Sequence, residues 1–593
     1  MIDKEVARTF DRRAALFLTS GTILTSVLIL RMLHMQVFNY REYTAKSENN
    51  SYRIQMNMPE RGKILSRGGA SISRDMPIYR IYIVPEEAPD VDALVDIVAG
   101  ELNLRPKRIK KIREKIRRQP RFQPVLVSEN TNWAQLAGLQ AKNLAGLRVA
   151  SGYARVYELG PAGAQVFGYV GAPNKPIASA PFFTTGITGL EKRFDDTLAG
   201  TAGQTVMITN AVGRVTGEDK SQYVAPQAGK NIKTTINDAA QRTLYDALTV
   251  HRAGCGVALD IETGDILAMV STPSFDPNNF SADDGDEYIS SLRSDRAKPF
   301  MNKVVEGLYP PGSTFKIVVA LAALESGAIT PREKIFCPGH WDYGDHRYHC
   351  WESKGHGWVD LAGALQHSCD IYFYQVALRI GIDAIREMAV KLGFTEKFMD
   401  DIISREMTGV VPDRYWKEKN KGARWVHGDT VISGIGQGFI LANCMQLAVM
   451  MARTASNRVV VPRLILDENA KNPNFASLGL QQKNLRYVLN GLELVMKKGG
   501  TAAGSAINVN GAKMGGKTGT SQVRSISKAE RKSGVLTNEQ LKWEMRNHGL
   551  FVGYAPTTNP KYAICVITEH SGGSGSAART AAATMRELLK GGK

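Results

Sequence analysis

The sequence predicts an α/β chain in three parts: an apolar anchor, a mixed α+β middle region and one large α/β domain at the C-terminal end. Three observations predict it. The run AALFLTSGTILTSVLIL, Ala14 to Leu30, carries no charge, in a chain that is otherwise 43% hydrophobic and 22% charged, an ordinary globular balance. Short strand-like runs and helical patterns follow one another through residues 38–235. From about residue 236, apolar strands open and close a segment whose interior reads as helical, so both ends of that segment build one sheet. The 593 residues leave room for two or three domains, each with a sizeable core.

Residues 1–13 read as a cytoplasmic tail and 14–37 as a transmembrane anchor. The apolar pattern continues past Arg31 as MLHMQVF, long enough to cross a hydrocarbon layer of about 30 Å. Lys4, Arg8, Arg12 and Arg13 precede it, and positive charge holds such an end in the cytoplasm. No small-x-small site follows the apolar core, which argues against a cleaved signal peptide. The rest of the chain is then expected on the far side of a bacterial inner membrane.

A net charge of +18 raises the question of nucleic acid. Its distribution answers it. RPKRIKKIREKIRR, Arg105 to Arg118, holds nine basic residues and one acid. Ile109, Ile112 and Ile116 share one face at helical spacing, so the segment is a short amphipathic helix with a solvated basic side. That side suits an acidic partner or a membrane surface; nucleic acid is not expected as a partner outside the cell membrane.

In the middle region YRIYIV, Tyr79 to Val84, reads as a strand and residues 92–147 as helical material. Gln222 to Ile236 reads as a connector leading into a strand. In the segment 236–593, GVALDIETGDILAMVS is two strands around Glu262-Thr263-Gly264-Asp265, a hairpin signal. Apolar helical patterns cover 317–326 and 361–379. LFVGYAP and YAICVITE read as strands, and Ala577 to Leu589 as a closing helix.

The chemistry concentrates around YPPGSTFKIVVALAALESG, residues 309–327. Pro310-Pro311-Gly312 is a turn, which places Ser313 at a helix N-terminus, where unpaired N–H groups favour developing negative charge. Lys316 lies one turn on, over the same face. A lysine aimed into an apolar face loses hydration and is expected to act as a base on the serine. Alone, S-x-x-K is common by chance. Two further pieces accompany it. HSCDIYFY carries Ser368 and Asp370 at the start of another helical run. MGGKTGTSQ carries Lys517, Thr518, Gly519 and Thr520 in a strand setting, where Gly519 would let a substrate backbone lie close to the strand. The three are separated by 55 and then 149 residues.

S-x-x-K, S-x-D and K-T-G in this order form the signature of penicillin-binding proteins and serine β-lactamases. Here the chain resembles a class B penicillin-binding protein of the elongation type, over nearly its whole length. RGKILSRGG (Arg61 to Gly69) is similar to that family's R-G-x-I-x-D-R-x-G, with Ser66 where an aspartate is usual. GITGLEKRFDDTLAGTAG, STPSFDPN, SGIGQG and HGLFVGYAP match other family segments. Aspartate at 370, where division-type relatives usually carry asparagine, favours the elongation type.

The resemblance implies a penicillin-binding/serine β-lactamase-like transpeptidase domain on an extended membrane-proximal pedestal, the dimerisation-type domain of that family. It implies a D,D-transpeptidase in which Ser313 attacks the penultimate D-Ala carbonyl of a pentapeptide stem. Lys316 would take its proton, and Ser368 with Lys517 would relay protons to and from the amine. The Ser313 and Thr520 amides would form an oxyanion hole, Thr518 and Lys517 would bind the substrate carboxylate, and Asp370 would organise its loop. β-Lactams would acylate Ser313, and a SEDS-family glycosyltransferase would be the membrane partner. A division-type enzyme, a serine β-lactamase or β-lactam sensor, and a non-catalytic scaffold are the alternatives. The long N-terminal region argues against a lactamase, and the full set of motif residues against a scaffold alone.

Residues 337–369 hold three of the six cysteines and five of the ten histidines. Elongation-type relatives can hold zinc in this segment, and the resemblance places its ligands at Cys337, Cys350, His356 and Cys369, with His346 and His349 as neighbouring candidates. A Cys337–Cys350 disulfide, in an oxidising compartment, and free thiols are the alternatives. Cys255 and Cys565 fall in strand patterns and Cys444 in a helical one, as buried apolar fillers do.

Overall fold

The computed structural model describes residues 4–39, 52–173, 184–210, 215–281, 285–403, 405–467, 473–524, 530 and 534–591; the first three residues of the expected tail lie outside them. The anchor is one helix, Lys4–Leu33, continued by a wider turn over His34–Phe38. Its apolar side chains, Leu16 to Leu33, are largely exposed, and the helix is long and apolar enough to cross a membrane.

Two sheets build the middle region. One pairs Tyr52–Asn57 with Gly203–Thr209 and that strand with Val215–Val224. The other centres on Ser71–Ile83, which pairs with Ile64–Leu65, Val125–Thr131 and Leu147–Tyr157. The helices Val91–Glu101, Pro106–Arg118 and Trp133–Ala141 pack on this second sheet around Ile81, Ile83, Leu94, Val98, Val125 and Leu136. The basic helix turns Ile112 inward, with Ile109 and Ile116 at the margin of the core. The stretch 92–147, read as helical, is interrupted by the strand Val125–Thr131, whose alternate Val125 and Val127 are buried against the helices.

Two family-like segments meet at a buried ion network. Arg61 donates to Glu191 at 2.7 Å and pairs with Asp195 at 2.6 Å, while Arg155 joins Glu191 at 2.8 Å and Asp75 at 3.1 Å. Charges this deep persist only when paired on all sides. At Ser66 the turn closes through backbone bonds to Ala70 and Gly69, and the buried hydroxyl has no hydrogen-bond partner among the described residues.

The C-terminal segment forms one antiparallel sheet in the order Ile266–Thr272, Gly254–Asp260, Tyr562–Thr568, His548–Ala555, Gly515–Ser521. It is built from both ends of the segment, as expected. The expected hairpin turns at Gly264, φ +73°, a left-handed backbone that favours glycine. Side chains on one sheet face (Val257, Leu259, Cys565) join a core with the helices Lys316–Glu325 and Cys444–Ser456; those on the other (Ala258, Ile564, Val566) join the helix Gly575–Gly591. Cover on both faces explains why the inner strands read as unbroken apolar runs. The apolar pattern at 361–379 is two helices, Leu361–Gln366 and Asp370–Lys391, broken at Ser368, whose φ is +55°. The hairpin joins this domain to the middle region: buried Asp265 is paired with both Arg67 and Arg463, and Thr235 donates to the Ile266 carbonyl at 2.7 Å.

Candidate active site

The three motifs converge where the edge strand of the sheet meets the start of a buried helix. Gly312–Phe315 is a tight 3-10 turn that runs directly into Lys316–Glu325. Ser313 is half-buried at this turn, while Thr314, Phe315 and Lys316 are buried. The turn lies against the strand Gly515–Ser521: at Gly312, φ +54°, a Cβ would stand 2.6 Å from the Thr520 carbonyl oxygen. The turn is also tied to the SGIGQG segment, since the Gly312 N–H donates to Gly436 at 2.9 Å. From that segment the Gln437 side chain donates to the Thr520 carbonyl at 3.1 Å. The backbones of Ser313 and Thr520 are thereby held side by side.

Lys316 is fully buried, and its ammonium donates to the Ser368 carbonyl at 2.8 Å, the Ser368 hydroxyl at 3.2 Å and Asp370 Oδ1 at 2.7 Å. An ammonium has three N–H donors, so all are taken. The apolar surroundings expected of Lys316 are thus broken by a carboxylate: Asp370, expected to organise its loop, is the ion partner of Lys316.

The lysine whose basicity the fold lowers is Lys517. It is fully buried, and burial, reinforced by the nearby Lys316 charge and opposed by Asp370, holds it well below the ordinary lysine value. Along the strand Lys517 is buried and Thr520 is exposed. Thr518 shares a 2.6 Å hydrogen bond with Thr501, a residue that sequence reasoning missed because it sits in a glycine-rich loop without a motif.

At Gly519 a Cβ would meet Thr314 Cγ2 at 2.9 Å and the Pro311 oxygen at 3.0 Å, so the missing side chain admits the Pro311–Thr314 turn.

Cys337, Cys350, His356 and Cys369 come together, each ligand atom within 4.8 Å of the others. His356 Nδ1 lies 3.6 Å from Cys337 Sγ and 3.5 Å from Cys350 Sγ. Zinc–sulfur and zinc–nitrogen bonds of about 2.3 and 2.0 Å in a tetrahedron give an S···N edge of about 3.5 Å, so the residues fit that ion. All six cysteines are free thiols, so the Cys337–Cys350 disulfide does not form here. His346 and His349 are exposed on a neighbouring hairpin, outside the cluster. Hydrogen bonding from Cys369 draws the Cys337 thiol down to about 4 and lowers Cys350, while the same contacts push Cys369 up. The Asp370 N–H donates to Cys350 Sγ at 3.4 Å, so the cluster abuts the second motif.

Comparison with known proteins bears on the whole chain. The penicillin-binding protein transpeptidase domain model matches residues 254–590, and the penicillin-binding protein dimerisation domain model residues 56–234. The peptidoglycan D,D-transpeptidase MrdA of Haemophilus influenzae is 31% identical over 97% of this chain and 91% of its own. MrdA of Escherichia coli K12 is 31% identical over 98% and 94%. Among solved structures, Pseudomonas aeruginosa PBP2 in complex with WCK 5153 superposes with a TM-score of 0.65 at 29% identity, over 90% of this chain and 96% of that one. The Helicobacter pylori complex between PBP2 and MreC has the same fold, with a TM-score of 0.74 at 24% identity over 91% and 99%. With both domain models matched and MrdA proteins aligned almost end to end, the chain belongs to the penicillin-binding protein 2 family of peptidoglycan D,D-transpeptidases.

Proposed function

We propose that the chain cross-links peptidoglycan stem peptides during lateral wall elongation, as a serine D,D-transpeptidase and a β-lactam target. The observation that carries this reading is the convergence of the Ser313 turn, the Lys316–Asp370 pair, Ser368 and buried Lys517 at one sheet edge. Ser313 Oγ attacks the penultimate D-Ala carbonyl of a pentapeptide. The bond to terminal D-Ala breaks, and the serine proton ends on the leaving amine. An amine of a neighbouring stem then attacks the ester, forming the cross-link and restoring Ser313. Lys316 starts as a saturated ammonium, so it hands one proton on before it receives the one from Ser313. Ser368 and Lys517 are the relay, because burial keeps Lys517 ready to accept. The Ser313 and Thr520 amides stabilise the oxyanion, at about 2.7–4 kcal/mol per donor. Thr518 binds the substrate carboxylate, with Lys517 behind it, as the stem lies along the strand edge. A β-lactam acylates the same serine.

In this reading residues 1–13 are cytoplasmic, 14–37 cross the inner membrane, 38–235 form a periplasmic pedestal and 236–593 the transpeptidase domain. Zinc is held by Cys337, Cys350, His356 and Cys369, as a structural ion that fixes the segment before Ser368. A SEDS-family glycosyltransferase meets the anchor and pedestal; loss of rod shape on exchanging the anchor alone supports that contact, and unchanged shape counts against it. The enzymatic reading is tested by incubating the full-length protein in detergent with pentapeptide-bearing glycan. D-Ala release and cross-linked products, absent with Ser313→Ala, are expected; no release from the wild type contradicts the reading.

A further inference from the structure

We propose that Trp351 is a positioning residue for acylation, whose two N–H groups hold Ser368 and Asp370 toward Lys316; the inference rests on the reading of Ser313 as nucleophile. Ser368 has a left-handed backbone, φ +55°, which an L-residue keeps only when its surroundings enforce it. Part of that is local: the Ser368 N–H donates to the Leu365 carbonyl at 3.3 Å and the Cys369 N–H to the Ala364 carbonyl at 2.9 Å, as at a helix C-terminus. Two further donors hold its carbonyl. The Ser368 carbonyl accepts from the Lys316 ammonium at 2.8 Å and from the Trp351 indole Nε1 at 3.1 Å. The same indole N–H reaches the preceding His367 carbonyl at 3.0 Å, so it grips both peptides that flank the turn. The Trp351 backbone N–H donates to Asp370 Oδ2 at 2.9 Å, leaving Oδ1 for Lys316 at 2.7 Å.

Trp351 is not a core filler, because it is 60% exposed. Its ring is edged by His356 at 5.6 Å, and its neighbour Cys350 receives the Asp370 N–H. One residue therefore joins the thiol cluster to the carbonyl, hydroxyl and carboxylate that surround Lys316. Without its indole N–H, the Ser368 carbonyl keeps only the ammonium as a side-chain donor, and the Ser368 hydroxyl drifts from it.

The test replaces Trp351 with 3-benzothienylalanine, which puts sulfur in place of the N–H at the same shape, and in parallel with phenylalanine (Trp351→Phe). Full-length protein in detergent is acylated by a fluorescent penicillin at several concentrations, beside wild type and Ser313→Ala, to separate non-covalent affinity from the first-order acylation step. Bound metal and melting temperature are measured on the same samples. The expected result is an acylation step slower by about tenfold, a barrier change of about 1.4 kcal/mol, with affinity, metal and melting temperature unchanged. An acylation step equal to wild type overturns the inference alone, as does a loss that only follows lost metal or lost folded protein. A wild type that takes no label overturns the reading of Ser313, and this inference with it.

Discussion

Replacing Gly312 with alanine tests how the oxyanion site is held. The new Cβ would stand 2.6 Å from the Thr520 oxygen, 3.1 Å from its carbonyl carbon and 3.4 Å from its nitrogen, all backbone atoms of the edge strand. An ordinary carbon–oxygen contact is about 3.3 Å, so turn and strand must part by roughly 0.7 Å. The backbone at φ +54° adds about 1–2 kcal/mol of strain for any L-side chain, and overpacking about 1–3 kcal/mol more. Parting the Ser313 and Thr520 backbones withdraws one oxyanion donor, worth about 10²–10³ in rate. Gly312→Ala should therefore remain folded, melt at lower temperature and acylate at least about a hundredfold more slowly. Stopped-flow labelling with a fluorescent β-lactam measures the rate, and circular dichroism the folded fraction. Acylation within about threefold of wild type, a barrier change under 0.7 kcal/mol, would refute the claim that this contact sets the geometry.

Three further predictions follow from the same geometry. Asp370→Ala strands a buried ammonium at Lys316 and should cost about 3–5 kcal/mol, with Asp370→Asn milder because it keeps an acceptor; an alanine variant that melts like wild type contradicts the pairing. Purified protein should carry about one zinc per chain, the number one tetrahedral site holds, and Cys350→Ser should lose it together with β-lactam acylation; metal analysis that finds no zinc in wild type removes the metal assignment. His548, drawn down from 6.5 to about 4 by burial and by neighbouring His570, makes stability depend on pH. Between those values the unfolded chain binds a proton that the folded chain does not, so stability falls as pH falls from 6.5 and levels off below about 4. The full loss is about 3 kcal/mol, and His548→Gln should flatten that slope in chemical denaturation; an unchanged slope refutes the assignment.

The catalytic motifs were legible because they are local: S-x-x-K, S-x-D and K-T-G each lie within one turn or strand. The hairpin at Gly264 and the apolar strands at both ends of the C-terminal domain were legible for the same reason. What the sequence did not reveal depends on pairings between distant segments. Nothing near Lys316 announces that a carboxylate 54 residues away meets its ammonium. The break at Ser368 has no proline or glycine to mark it: a serine takes the left-handed position where the helix Leu361–Gln366 ends and the Cys369 N–H closes on the Ala364 carbonyl. The strand Val125–Thr131 hides between helices because its partner Ser71–Ile83 lies far upstream. A strand glycine such as Gly519 signals close approach of another backbone, and only the packing shows that Pro311 and Thr314 lie against it. The cysteine and histidine cluster stood out by density, and the fold separates His356 within it from His346 and His349 outside it.

The central claim is that Ser313 is the acylated nucleophile. Full-length protein incubated with penicillin, digested and read by mass spectrometry should carry the penicilloyl adduct on the peptide containing Ser313. The adduct should persist for hours and be absent from Ser313→Ala. An adduct on another residue, its rapid loss by hydrolysis, or equal labelling of the alanine variant would contradict the account.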